Sequence, residues 1–401
     1  MRIFGKAGRA VGAVSLFVLA ACSPIQIGSR TLDFGGAPPQ AIPNQTAVVS
    51  GPSQSFGRGP VQVALLLPLS GDQNLASVGQ SLANASRLAM SFIEANPNIA
   101  ENITITLRDT GSTVQGATAA ASAALSAGAK LILGPLRADQ VTAVGAAGRS
   151  AGVPVIGFSN NPTAAGPGVY LLSVLPDMEM KRSLTWLKAQ GRRGIAGAFP
   201  ATEFGQAQEI AFRQQAIAAG FSPSAVYTFS TVTEAQQIVN QALPEIQKGM
   251  IDTLYLPDRA TAPSFGVLLA QAGITPDMVQ IVGSADWEGD PAIVAATQLS
   301  GAIYPAVDPA GMAAIRADYQ SQFGGQPHAL ATIAYTATIL ANVNTLSMAS
   351  PPYNPGLMTS SQGFNGRDGV FRFLGNGRAE YALMIKRVAP GGAQVVEPAG
   401  L

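Results

Sequence analysis

From Val61 onward, short apolar runs alternate with segments long enough to be helices, and this alternation limits the chain to a few architectures. Val61-Gln62-Val63-Ala64-Leu65-Leu66-Leu67-Pro68-Leu69 is almost continuously apolar and stops at Ser70-Gly71. A run of that kind predicts a strand covered on both faces, as in a parallel sheet. A helical pattern follows from Leu75 to Ala95 and ends at Asn96-Pro97. Ile103–Leu107 is β-branched, and the alanine-rich stretch Val114–Ala127 is closed by Gly128, a residue suited to the end of a helix. Strands are predicted at Lys130–Leu133, Val153–Phe158, Val169–Ser173, Gly194–Phe199, Ala225–Phe229, Thr253–Leu256, Val279–Val282 and Gly301–Tyr304. Helical patterns at Ala138–Ser150 and Met178–Gln190, and near 206–219, 233–247, 263–271 and 291–297, separate them. Strands alternating with helices imply βαβ units and parallel sheets. About ten such units exceed one ordinary domain, so two α/β lobes are expected.

The pattern changes after residue 305. Helices are predicted at Gly311–Phe323 and Leu330–Leu346, followed by Gly- and Pro-rich loops. Val370–Phe373, a Gly375-Asn376-Gly377 turn and Glu380–Val388 then predict a hairpin, because Asn-Gly between strand patterns is a strong turn signal. Residues 391–401 read as a tail.

The N-terminal part is of a different kind. Arg2, Lys6 and Arg9 precede the apolar run Val11–Ala21, which is shorter than the roughly 20 residues of a spanning helix. Leu19-Ala20-Ala21-Cys22 then places small residues before the one cysteine of the chain. This order predicts a lipoprotein signal peptide over 1–21, cleavage before Cys22 and acylation of Cys22 as a lipid anchor. Residues 23–60 are rich in Gly, Pro, Ser and Gln, with breakers at Gly35-Gly36-Ala37-Pro38-Pro39 and Gly51-Pro52-Ser53. They predict a flexible tether whose ends lie about 30 Å apart as a random coil.

Composition removes several kinds of chemistry. With one cysteine and one histidine, His328, the chain has no intramolecular disulfide and lacks the usual donors of a zinc site. Of its 24 basic residues, three lie in 1–21, which leaves 21 against 23 acids and no electrostatic drive toward nucleic acid. Gly148-Arg149-Ser150-Ala151-Gly152 matches a serine-hydrolase string but precedes a strand, where a nucleophile elbow would follow one. Phosphate-loop and dinucleotide-loop motifs are absent, and Gly363–Gly369 is followed by no helix. Asp286 and Glu288 flank Trp287 in a loop, where paired acids are normally solvated. No cofactor, metal site or catalytic set is expected.

In parallel α/β sheets, ligands bind outside the carboxyl ends of the strands. Here those ends carry Ser70 and Gly71, Leu136 and Arg137, Ser159-Asn160-Asn161, Glu203 and Phe204, Asp258, and Asp286 and Trp287. Hydroxyls, amides and helix-start N–H groups suit a small polar or anionic ligand. The same residue types also serve as helix caps and turn formers.

Leu66-Leu67-Pro68-Leu69-Ser70-Gly71, Gly134-Pro135-Leu136 and Val153-Pro154-Val155-Ile156 resemble the type I periplasmic binding fold, in particular leucine/isoleucine/valine-binding proteins. The segment Gly366-Arg367-Asp368-Gly369-Val370-Phe371-Arg372-Phe373 resembles their C-terminal hairpin. Within that group, Gly134-Pro135-Leu136-Arg137-Ala138, Gly157-Phe158-Ser159-Asn160-Asn161 and Ala165-Gly166-Pro167-Gly168-Val169-Tyr170 look most like the penicillin-binding protein activator lipoproteins. The resemblance implies an α/β, two-lobed type I periplasmic-binding fold over 61–390, with parallel sheets flanked by helices and a three-crossover hinge. Lobe 1 would hold 61–173 and 306–348, and lobe 2 would hold 174–305 and 349–390.

The resemblance further implies a non-catalytic envelope lipoprotein, anchored in the outer membrane and facing the periplasm, that regulates a peptidoglycan synthase. The alternative is the substrate-binding protein of an ABC importer, with a permease as partner and an amino acid or another small polar solute as ligand. Relatives that bind amino acids carry serine or threonine where this chain has Leu136-Arg137 and Ser159-Asn160-Asn161, so Arg137 is expected to alter or fill the amino-acid pocket.

Overall fold

A computed structural model of the chain describes residues 53–400 together with 26–27 and 30–31. The proposed signal segment 1–21 and Cys22 lie outside the described residues. Gln26–Ile27 (β1) and Arg30–Thr31 (β2) form a two-residue antiparallel ladder in a unit spanning residues 1–47, separate from the unit formed by 48–401.

The first lobe runs β3 (Gln54–Phe56), β4 (Val61–Leu67), α1 (Gln73–Ala95), β5 (Ile103–Asp109), α2 (Val114–Ser126), β6 (Leu131–Leu133), α3 (Ala138–Ala151), β7 (Val155–Gly157) and β8 (Val169–Leu171). Its sheet has the order β3-β5-β4-β6-β7-β8 and is parallel except for β3. The apolar run of β4 follows from burial on both faces. Val63, Leu65 and Leu67 enter one core with Leu82, Ala85 and Ala89 of α1, while Ala64 and Leu66 enter another with Ala117, Ala120, Ala121 and Ala124 of α2. β5 alternates instead: Ile103, Ile105 and Leu107 are buried, and Thr104 and Thr106 face a half-open side. Asp72 caps α1 by accepting from Leu75 N at 2.9 Å, and Thr113 caps α2 by accepting from Gly116 N at 3.1 Å. Gly152 ends α3 in the left-handed region, and the Ser150 hydroxyl donates to Ala146 O one turn back. The hydrolase-like string is therefore a helix terminus.

The second lobe runs α4 (Pro176–Ala189), β9 (Gly194–Pro200), α5 (Glu203–Ala218), β10 (Ser222–Phe229), α6 (Val232–Gln247), β11 (Thr253–Tyr255), α7 (Ala262–Gln271), β12 (Gln280–Val282), α8 (Pro291–Ala295) and β13 (Ile303–Ala306). The chain then returns to the first lobe as α9 (Ala310–Phe323), α10 (Ala331–Asn342), α11 (Asn344–Ser347), α12 (Pro355–Met358), β14 (Phe364–Gly366), β15 (Gly369–Phe373) and β16 (Ala379–Tyr381). It finishes in the second lobe with β17 (Leu383–Ala389) and β18 (Gly392–Gly400), giving the sheet order β10-β9-β11-β12-β13-β17-β18. The chain thus passes between lobes at 172–175, at 307–309 and at Ala382. The result is an α/β fold of two lobes, each a largely parallel sheet flanked by helices.

The structure departs from the expected boundaries in three places. Residues 54–56 are not tether: they add β3 antiparallel to β5, with Arg87 over the Phe56 ring at 5.6 Å. Residues 370–388 are not one hairpin of the second lobe. β14, β15 and β16 form a separate small sheet, and its aromatic face, Phe371, Phe373 and Tyr381, is buried in the first lobe's core. The crossing comes at β17, where the successive residues Met384 and Ile385 enter the two second-lobe cores. Residues 392–400 are not a tail but an edge strand paired with β17.

Candidate functional site

Two of the crossings locate the cleft. The 172–175 segment leaves the carboxyl end of β8, and the 307–309 segment leaves the carboxyl end of β13. The loops that follow the parallel strands of both lobes therefore face the cleft between them.

On the first lobe, the wall is built from side chains that grip their own and neighbouring loops. The Ser70 hydroxyl donates to Asp109 Oδ2 at 2.5 Å, and Asp109 Oδ1 accepts from Leu69 N and Gly111 N, both at 2.8 Å. Burial pushes the Asp109 carboxyl up, but these hydrogen bonds outweigh it and hold its pKa below the ordinary value. Gly71 has φ +88, and a Cβ there would stand 2.8 Å from the Ser112 hydroxyl, so glycine lets the loops after β4 and β5 meet. Leu136 is half-buried against the first core. Ser159 is buried, and its hydroxyl accepts from Asn161 N at 3.2 Å. Asn161 in turn caps the single 3₁₀ turn Pro162–Ala164 through Thr163. Asn160 is exposed.

Arg137 caps nothing at its position ahead of α3. Its Nε and Nη2 lie 3.1 and 3.0 Å from the two carboxylate oxygens of Asp139, a bidentate pair that is half exposed. The Asp139 hydrogen bond raises the Arg137 pKa, against burial, and the negative field of Glu203 from the opposite lobe adds to the rise. Glu203 thus acts on Arg137 through its field alone, while the ion pair of Arg137 is with Asp139.

On the second lobe, Glu203 is exposed at the start of α5 and Phe204 is half-buried beside it. Asp258 accepts from Thr261 N and from the Thr261 hydroxyl, at 3.1 and 2.6 Å. Asp286 is pushed up by burial, with Arg259 opposing the shift and Asp258 and Asp290 adding to it. Arg259 Nε lies 3.7 Å from Asp286 and 3.6 Å from Asp290. Trp287 is not part of the wall. The 3₁₀ turn Ala285–Trp287 directs its indole into the core, 1% exposed, against Gly283 and 6.0 Å from Tyr304.

Several polar groups near the cleft escape sequence reasoning. The buried Gln140 side chain donates to Gly111 O and Thr113 O, while its own oxygen accepts nothing. Glu179, 6% exposed, has its pKa raised to about 7 by burial; the Ala285 N–H and Gln208 oppose the shift, and Asp286 and Asp177 add to it. Tyr255 OH donates to Gln208 Oε1 at 2.6 Å, extending the chain of contacts. Glu288 accepts from Tyr304 OH at 3.0 Å and from the buried Lys386 at 2.7 and 2.8 Å, pinning the loop after β12 to β17. Glu179 stands in the first turn of α4 after Pro176, where acids are ordinary helix starts, so its burial carried no sequence signal.

Among the described residues, no group of three or more His, Cys, Asp or Glu side chains is arranged to hold a metal ion. His328 accepts from Leu330 N through Nδ1 at 3.2 Å, shaping the entry to α10.

A family model described as periplasmic binding protein matches residues 60–388. A solved structure of a candidate branched-chain amino acid ABC transporter protein from Rhodospirillum rubrum is similar with a TM-score of 0.72 at 18% identity, covering 84% of this chain and 99% of the other. The leucine-binding protein LivK from Thermotoga maritima gives 0.57 at 17% identity, covering 85% and 99%. The C-domain of LpoA from Haemophilus influenzae, a regulator of PBP1A, gives 0.63 at 18% identity, covering 84% and 99%. At these identities the likeness is one of fold. Among curated proteins, none matches.

Proposed function

The chain belongs to the periplasmic binding protein family, and from that premise we propose that it is a non-catalytic envelope lipoprotein that activates a peptidoglycan synthase of the penicillin-binding class. Cys22 would anchor it, in the outer membrane and facing the periplasm, with the segment before β3 as its leash. One observation carries the reading. The side chains at the cleft wall spend hydrogen bonds on their own lobe: Ser70 on Asp109 of the neighbouring loop, and Arg137 on Asp139, Ser159 on Asn161 and Asp258 on Thr261 within their own loops. A solute receptor keeps such groups free for its ligand, because each polar group of a buried ligand needs a partner. The fold shared with the LpoA C-domain is consistent with a family member that acts on a synthase. No helix among the described residues is long and apolar enough to cross a membrane.

The second reading is the substrate-binding protein of an ABC importer for an amino acid or another small polar solute. It is favoured by the exposed Asn160 and Glu203, polar groups at the cleft that remain accessible. One pair of experiments separates the two. The lipidated protein, reconstituted with each peptidoglycan synthase of its host, should raise glycan polymerisation or crosslinking by at least one of them; no effect on any of them defeats the leading reading. A thermal-shift screen against amino acids should be silent, whereas a receptor at 100 times its Kd would gain about 2.7 kcal/mol.

A further inference from the structure

The β15–β16 hairpin belongs to the first lobe yet grips the second. Its turn is seated backbone on backbone against the edge strand β8: Leu171 N donates to Gly377 O at 2.8 Å. Gly377 has φ +81, and a Cβ there would stand 2.1 Å from Val169 O. Phe373 packs on Tyr170 with ring centroids 5.1 Å apart. The hairpin therefore moves with the first lobe.

Its outer side chains reach α4, the first element after the 172–175 crossing. Arg378 Nη1 lies 3.1 Å from Asp177 Oδ2, and Lys181 Nζ lies 3.1 Å from Glu380 Oε1. Arg372 closes the cluster at 2.5 Å from Glu380 Oε2. Asp177 and Lys181 are four apart and so share one face of α4. The adjoining face of α4 is locked into the second lobe's core through Met180, Leu184 and Leu187. The acids are shielded, with the Asp177 and Glu380 side chains 8% and 13% exposed, while their partners Arg378 and Lys181, at 35% and 54%, stand open to salt. For Glu380, burial pushes the carboxyl up, but Arg372 and Lys181 outweigh it and keep it ionised.

We propose that this hairpin is a hinge strap, and that its ion pairs with α4 set the resting angle between the lobes. The pairs lie within a few residues of two of the three crossings. Because each pair joins the first lobe's hairpin to a second-lobe helix, a rotation that separates the hairpin from α4 must stretch or break it. The strap is independent of what the cleft binds and would serve either a receptor or a regulator.

The test is a lobe-to-lobe distance. Spin labels at Ala119→Cys and Gln214→Cys, both exposed, report the separation of α2 and α5 by pulsed electron resonance in the mature chain carrying Cys22→Ser. With Lys181→Gln and Arg378→Gln together, the mean distance should shift and the distribution widen. High salt should shift the unmodified strap in the same sense and leave the double variant unchanged. Lys181→Gln alone removes a half-exposed charge and guards against misfolding as the cause, and circular dichroism checks the fold of both. Identical distributions for wild type and folded variants, at low and high salt, overturn the proposal.

Discussion

Glu179 Oε2 accepts the backbone N–H of Ala285 at 3.0 Å, tying the first turn of α4 to the loop after β12. The carboxyl is buried among Gln208, Asp286 and Asp177, and its pKa stands near about 7 against an ordinary 4.5. The native state therefore holds a proton that the unfolded chain releases. The stability this confers is full below the unfolded value and is lost as pH rises through about 7, on the order of 3 kcal/mol in all. Asp368, raised to about 6 by burial with Thr332 opposing, acts in the same sense. Glu179→Gln mimics the protonated form. Urea unfolding across about pH 5 to 7.5 should show a flatter profile for the variant and greater stability at the upper end. A profile that still falls as steeply as wild type would assign the slope elsewhere.

The lobes were legible because their strands carry two different burial signatures. Val63 to Leu67 is apolar throughout because helices cover both faces, and Ile103 to Leu107 alternates because one face is half open. The cleft was legible as a place, since strand ends in parallel sheets define it, but not as chemistry. Ser70, Ser159, Asn161 and Asp258 have the composition of a binding site and the bonding of caps and turns. Sequence alone does not separate those two uses, because the same oxygen atoms serve both. Trp287 was misplaced for a related reason: a tryptophan in a loop reads the same whether it lines a cleft or, as here, packs into the core against Gly283. The split of residues 370–388 between two sheets was hidden because Phe371, Phe373, Leu383 and Ile385 follow one alternating strand-like pattern, while the crossing at Ala382 leaves no breaker.

Two glycines test the seating of the hairpin against backbone strain alone. Gly128 and Gly377 both have positive φ, at +85 and +81. A Cβ at Gly128 meets nothing within 4 Å, so Gly128→Ala should cost about 1 kcal/mol from conformation. At Gly377 the Cβ would strike Val169 O and two atoms of Gly166, so the turn must leave β8. Denaturant midpoints should therefore rank wild type above Gly128→Ala and Gly128→Ala well above Gly377→Ala. Equal losses would mean that the turn seat contributes nothing beyond strain.

A buried amide joins the late helix α10 to the early part of the same lobe. Asn342 Oδ1 accepts from Asn102 N, Asn342 Nδ2 donates to Ala100 O, and Asn102 Nδ2 donates to Asn342 O, each at 2.8 Å. Asn342→Ala removes the first two and strands the buried Asn102 N–H, while the carbonyl of the exposed Ala100 can turn to water, at a cost of about 2 kcal/mol. Thermal unfolding should record that loss even if binding at the distant cleft is unchanged. A shift within the range of an exposed control such as Thr118→Ala would show that water replaces the amide without penalty.

Arg182 makes the last strand part of the second lobe. From α4 its guanidinium donates to Leu383 O at 2.6 Å, to Glu397 at 2.7 Å and to Pro398 O at 2.8 Å, so one side chain clamps both β17 and β18. Ending the chain after Ala389 deletes β18, leaves Arg182 with one of its three partners and turns β17 into a bare edge. Unpaired edges seed association between chains. The truncated protein should unfold at a lower temperature and scatter light on heating. Arg182→Gln should lower stability less and stay monodisperse, because β18 still covers the edge. A truncated chain as stable and as soluble as the intact one would show that β18 is an ornament on a sheet already complete at β17.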